Sequence, residues 1–150
     1  MSAYDLKDTI AIVTGGAKGM GEAHCRLMTE RGATVVVADL DPVGEKLAAE
    51  IGATFASLDV TREDQWETLC ADIVARHGKI DVLVNNAGVA SLNPVNEATV
   101  EEFDSLFNVN MKGVFLGCKH VLPGMKAAGK GSIVNISSSG GLKAVMPNLS

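Results

Sequence analysis

Four short segments are apolar almost without interruption: TIAIVT (9–14), TVVVAD (34–39), VLVN (82–85) and SIVNIS (132–137). A strand with one wet face would alternate, so continuous, β-branched runs predict parallel strands covered on both sides. TFASLD (54–59) is a weaker fifth candidate. Between these segments the apolar spacing turns helical. Trp66, Leu69, Cys70, Ile73 and His77 form a stripe, with Thr61 and Asp64 resembling a start signal and Gly78 a stop. Asp41-Pro42 reads as an N-cap followed by proline at the first helical position, and Gly52 as that helix's end. Thr99 with Glu102 forms a capping box that opens a long helix, roughly 100–122, running toward Pro123. Strand and helix therefore alternate along the whole chain. That order predicts an α/β fold, a doubly wound parallel sheet of about five strands with right-handed crossovers.

Composition narrows the class. The 150 residues suit one domain or part of one, with 47% apolar and 21% charged residues. Thirteen Lys and Arg face eighteen Asp and Glu, a net charge of -5, and no basic run occurs. Neither nucleic acid nor an anionic membrane is expected as a partner. The N-terminal stretch lacks a signal-peptide layout, and no apolar run reaches membrane-span length, so the expectation is a cytoplasmic protein. Cys25, Cys70 and Cys118 are read as buried small hydrophobes in a reducing compartment. His24, His77 and His120 show no ligand spacing, and no metal site is expected.

Chemistry is expected at the carboxyl ends of the strands, where the sheet order reverses. The first strand ends in TGGAKGMG, residues 14–21, a G-x-x-x-G-x-G turn through Gly15, Gly19 and Gly21. Glycines permit a tight turn and a close backbone approach, and the following helix points free N–H groups at an anion such as a pyrophosphate. Glycine-rich turns also occur without ligands. Asp39 closes the second strand 18 residues after Gly21, near the offset at which a carboxylate accepts adenosine ribose hydroxyls. Its charge would repel a 2′-phosphate and so favours NAD over NADP. Lys18 pulls the other way, but a lysine can swing into solvent while Asp39 sits against the 2′ position. The bland alternative makes Asp39 a helix cap or turn residue.

The chain resembles the short-chain dehydrogenase/reductase family over all 150 residues. The likeness rests on TGGAKGMG, on DV (59–60) and NNAG (85–88), and on NVNMKG (108–113) and GSIVNISS (131–138), in the family's order. The resemblance implies a Rossmann-type fold with strand order 3-2-1-4-5-6-7 and a nicotinamide cofactor. It places Gly15, Lys18, Gly19, Met20, Gly21, Asp39 and Leu40 on the cofactor. It gives Asp59 the adenine amino group and sets Val60 behind the ring. Asn86, Ala87 and Gly88 come to the ribose and adenine side, while Asn85 holds the sheet and its turn. A purely structural role for the NNAG turn is also open.

Asn110 falls mid-helix, on a face with Phe103, Phe107, Val114 and Gly117. An amide there needs partners. It could bond a backbone carbonyl, whereas the resemblance has it distort the helix and position a water in a proton relay. Gly113 and Gly117 are read as packing residues. Ser138 is implied as the catalytic hydroxyl that polarises the substrate oxygen, flanked by Ser137 and Ser139, with Ser139 and Gly140 shaping a substrate pocket.

The family's Tyr-x-x-x-Lys would fall at or just beyond Ser150, and Tyr4 cannot replace it, so these residues alone are expected to be inactive. SIVNIS would be an uncovered apolar edge strand, which suggests that the protein continues or pairs with a second segment. The expected activity is hydride transfer between NAD and a secondary alcohol or ketone, in a homo-oligomer, dimer or tetramer, built partly on the long helix. The apolar SGGLKAVMPNLS segment hints at an alicyclic or steroid-like substrate. The alternative is a non-catalytic NAD-binding module.

Overall fold

The computed structural model describes residues 5–91 and 93–138. In chain order the strands are β1 (Ile10–Thr14), β2 (Thr34–Asp39), β3 (Thr54–Ser57), β4 (Val82–Asn85) and β5 (Ser132–Asn135). The helices are α1 (Gly19–Glu30), α2 (Val43–Ile51), α3 (Glu63–His77), α4 (Val100–Phe107) and α5 (Gly113–Ala128), with a π turn (Asn108–Lys112) joining the last two. The five strands form one parallel sheet in the order β3-β2-β1-β4-β5. This is the doubly wound α/β architecture that the alternating pattern predicts. Strands β3 and β5 stop earlier than their apolar runs, at Ser57 and Asn135, although the next residues, Leu58 and Ile136, still donate to the carbonyls of Asp39 and Asn85.

Continuous apolarity has the predicted cause: β1 is buried at all five positions. Successive side chains point to opposite faces of the sheet. Ile10 and Ile12 join Trp66, Cys70, Ile73, Leu116, Val121 and Met125 under α3 and α5. Val13, Val35 and Val37 join Cys25, Leu47 and Ala48 under α1 and α2 on the other face. Each fully buried Val, Leu or Ile side chain contributes about 1.5–3 kcal/mol. Trp66 is fully buried, and its ring N–H donates to the Val60 carbonyl at 3.0 Å.

Several local expectations shift. Asp41 does cap the start of α2, its Oδ1 accepting the Val43 N–H at 2.9 Å, but Pro42 precedes the helix instead of opening it. Thr61 does not open α3. Its backbone N–H and hydroxyl both donate to Asp59 Oδ1, at 2.9 and 2.7 Å. The α3 stripe also ends before His77, which is exposed. Pro123 does not stop α5, which runs through it to Ala128 and ends at Gly129. Val121 and Met125, buried on either side, offset the roughly 3 kcal/mol that an interior proline costs. Among the described residues, no helix is long and apolar enough to cross a membrane.

Candidate functional site

The loops after β1 and β4 are joined by one hydroxyl. Thr14 Oγ1 accepts the backbone N–H groups of Asn86 and Ala87, both at 3.0 Å, and donates to the Val84 carbonyl at 3.3 Å. The Asn86 side-chain amide reaches back to the carbonyls of Thr14 and Gly15 at 2.9 and 3.0 Å. Gly15 has φ +60°, and a Cβ there would lie 2.8 Å from Ala87 Cα. At Gly21 a Cβ would lie 2.0 Å from the Gly15 carbonyl oxygen. These two glycines let backbone pack on backbone. Gly19, with φ +58°, differs: its absent Cβ would meet nothing within 4 Å, and no side chain caps the start of α1.

Asp39 is tied to the same turn. Its Oδ2 accepts the Ala17 N–H and its Oδ1 the Asp41 N–H, both at 2.9 Å. The carboxylate is thus fixed at the end of β2 with lone pairs left over. Lys18 does not swing freely. Its ammonium donates to Asp41 Oδ2 at 2.6 Å, which raises the lysine's pKa and lowers the aspartate's.

These parts enclose a cleft of ≈ 400 Å³ at the carboxyl ends of β1, β2 and β4. Gly15, Lys18, Met20, Asp39, Leu40, Asp59, Val60, Asn86, Ala87 and Gly88 all line it. Gly19 and Gly21, also predicted here, shape the loop without lining the cleft. Leu58, Val89 and Val109 line it too and carry no signal of their own in the sequence, although each neighbours a predicted residue. Thr14 stands out in the sequence only as part of its motif; the signal for its role is a hydroxyl at the mouth of an otherwise apolar strand. A second cleft of ≈ 400 Å³ runs along β3 and α3 and reaches the first turn of α3 at Asp64 and Gln65, but no glycine lines it among the described residues.

Asp59 is half-buried, its Oδ1 held by Thr61, while its own N–H donates to Gln65 Oε1 at 2.7 Å. Val60 is buried against Gly113, where a Cβ would come within 2.8 Å of it. Gly117 approaches Asn85 and Trp66 as closely, so both glycines serve the packing expected of them. Asn85 is buried, and its amide crosses to Asn135 Oδ1 on β5 at 2.9 Å. Asn85 therefore ties the sheet, whereas its neighbour Asn86 ties the turn.

Asn110 lies in the π turn, closed by an N–H from Gly113 to the Asn108 carbonyl, five residues apart. Its environment differs from the expected apolar face. Phe103 and Phe107 are exposed and stack on each other at 6.0 Å, one turn apart on α4, and the extra residue in the π turn shifts Asn110 out of their helical phase. Asn110 instead clasps one residue: Oδ1 accepts the Val89 N–H at 2.9 Å, and Nδ2 donates to the Val89 carbonyl at 2.8 Å. Ser138 is exposed and follows the end of β5 by three residues. Ser139, Gly140, the rest of SGGLKAVMPNLS and Tyr4 lie outside the described residues.

Cys25 and Cys70 are buried, their thiols pushed up to about 12 and about 11 by desolvation. Cys118 is only half-buried, its sulfur accepting from the Asn85 amide at 3.7 Å. The three histidines lie on α1, α3 and α5. Glu63, Glu67 and His120 bring their ligand atoms within 4.8 Å of one another, but Lys119 already donates to Glu63.

The short chain dehydrogenase family model matches residues 9–149. Cyclopentanol dehydrogenase of Comamonas sp. (strain NCIMB 9872) is 43% identical over 143 residues, covering 91% of this chain and 57% of its own length. The 3-alpha-(or 20-beta)-hydroxysteroid dehydrogenase of Mycobacterium tuberculosis (strain ATCC 25618 / H37Rv) is 44% identical over 136 residues, covering 89% of this chain and 52% of its own. The crystal structure of gox2181 superposes with a TM-score of 0.92 at 28% identity, over 96% of this chain and 59% of that one. The chain thus spans little more than half the length of the relatives it matches. With the glycine turn, the NNAG turn and the sheet order all present, the chain belongs to the short chain dehydrogenase family.

Proposed function

We propose that the protein containing these residues is an oxidoreductase that moves a hydride between NAD and a secondary alcohol or its ketone. The observation that carries this reading is the cleft at the strand ends, floored by backbone and bounded by the Asp39 carboxylate. Gly19 supplies the fit: its absent side chain opens a backbone face beside the uncapped start of α1. Gly19 and that first turn would hold the pyrophosphate. Asp39 would accept the ribose hydroxyls, with Met20 and Leu40 beside it. Asp59 would receive the adenine amino group with Val60 behind the ring, and Asn86, Ala87 and Gly88 would lie along the same side. When bound, the nicotinamide ring takes up or gives back the hydride.

Ser138 would hold the substrate oxygen by donating a hydrogen bond, and Asn110 would serve the proton relay. The proton-exchanging tyrosine that this reading requires is not supplied by Tyr4, the one tyrosine in these residues. Residues 1–150 alone would then bind cofactor without turnover. The relatives' names, cyclopentanol and hydroxysteroid dehydrogenase, support a cyclic or steroid-like secondary alcohol as substrate. Exposed Phe103, Phe107, Met111 and Phe115 support a homo-oligomer built on α4 and α5. A cytoplasmic location, without nucleic-acid or membrane partners, belongs to the same reading.

Trp66 is the single tryptophan and sits behind Val60, so it reports on the cleft. Energy transfer from Trp66 to added NADH is the expected signal, and an extended protein that supplies a Tyr-x-x-x-Lys should reduce NAD in the presence of cyclopentanol. No transfer at any NADH concentration would sink the cofactor reading. Binding without turnover in the extended protein would leave only a dinucleotide-binding module.

A further inference from the structure

Among the described residues that line the cleft, Lys18 is the only cation, against the carboxylates of Asp39 and Asp59. A cation in the glycine loop is the natural counter-ion for a phosphate on the adenosine 2′ oxygen. Here its ammonium is already committed, 2.6 Å from Asp41 Oδ2. Asp41 does not line the cleft, so this contact draws the charge toward the rim. Three hydrogen bonds orient the aspartate. Oδ1 accepts the Val43 N–H at 2.9 Å, its own N–H donates to Asp39 Oδ1, and Oδ2 is left for the lysine. Asp39, Asp41 and Lys18 together carry one net negative charge.

Resting on the reading that this cleft binds a nicotinamide dinucleotide, we infer that Asp41 sharpens the choice of NAD over NADP by withholding Lys18 from the 2′ position. Asp39 repels a 2′-phosphate by its own charge. Asp41 acts through another residue, by removing the counter-ion that such a phosphate would need, and is therefore a positioning residue. The Lys18 side chain is 69% exposed, so once released it can reach toward the cleft.

The decisive measurement is a set of dissociation constants for NAD and NADP, read by calorimetry on the wild type and on Asp41→Asn, Lys18→Met and the double variant. Asparagine keeps an oxygen for the Val43 N–H, so the turn is preserved. Asp41→Asn is expected to shift the NADP-to-NAD affinity ratio about fivefold toward NADP at low salt, the scale of an exposed ion pair. Added salt should erode that shift, and the double variant should abolish it. Lys18→Met alone should leave the ratio within about twofold of wild type, because its charge is already withheld. An unchanged ratio in Asp41→Asn, a shift that survives in the double variant, or a severalfold loss of NADP affinity in Lys18→Met would each overturn the inference. If the wild type binds NAD, only this inference falls with such a result. If it binds neither dinucleotide, the cofactor reading falls as well.

Discussion

At the carboxyl ends of β1, β2 and β4, each loop supplies the hydrogen-bond partners of the next, through Thr14, Asn86 and Asp39. Along α4, the π turn and α5, the chain instead presents Phe103, Phe107, Met111 and Phe115 to solvent. The strands repeat the contrast, since β1 is buried throughout while Val134 of β5 is 43% exposed. Both regions are comparably apolar in sequence. Burial is therefore set by what lies across a strand or helix, and hydropathy alone does not report it. The glycine turn and its neighbours complete their own geometry, whereas the α4–α5 side leaves apolar surface for something else to cover.

The sharpest way to break this contrast is Gly21→Ala. A Cβ placed 2.0 Å from the Gly15 carbonyl oxygen must push the loops apart, so a loss of about 3 kcal/mol is expected in denaturant unfolding. Dinucleotide affinity should fall with it. A variant of wild-type stability would mean that the two loops are not interlocked.

Asn110→Ala comes next. It strips Val89 of both partners, for an expected loss of about 1–2 kcal/mol and faster amide exchange at Val89. Unchanged exchange there would show that the π turn does not hold the loop.

Phe107→Ser should change stability by no more than about 0.5 kcal/mol, because the ring is half in water already. A loss above about 2 kcal/mol would mean that this face is buried in solution, erasing the contrast with the cleft.

The smallest effect is a pH response at the cap of α4. Glu102 is held below the ordinary carboxylate range, first by the Thr99 N–H and then by Asn93 and Ser91, against an opposing desolvation. Its folded value lies below the unfolded one of about 4.3, so its contribution is complete above that pH and disappears as pH falls through the folded value. The Thr99 amide shift, followed by NMR on acidification, should move in that acidic range alone and be insensitive to pH in Glu102→Gln. A response near neutrality would contradict this assignment.

Much of the fold and the cleft is legible in the sequence, and the misses have physical causes. β1, β2 and β4 announce themselves because a doubly covered strand needs apolar residues on both faces. The Thr99–Glu102 capping box is readable because both of its bonds span three residues. The bonds between Thr14 and Asn86 are not, because they join positions 72 apart in the chain and only the folded sheet brings them together. The family resemblance anticipates a local distortion of the helix at Asn110, but periodicity does not, because a five-residue closure leaves no periodic trace. Regular helical spacing wrongly groups Asn110 with Phe103 and Phe107 for that reason. Pro123 misleads because a local rule about proline is overridden by packing on either side of it. The cleft residues can be found as neighbours of glycines and strand-end carboxylates, while Leu58, Val89 and Val109 enter through shape alone.

The Thr14 hydroxyl has a mechanical meaning as well. One oxygen gathers three backbone groups from the β4 segment, so the two loops that floor the cleft share a common pivot and cannot slide past each other without breaking all three bonds together. A threonine-to-valine exchange, nearly identical in outline, would remove that pivot while leaving the silhouette intact. Any gating of the cleft is then left to its rim, where Met20 and Leu40 stand 63% and 65% exposed. The floor behaves as an anvil, and freedom to move is left to the exposed side chains at its lip, Val89 among them.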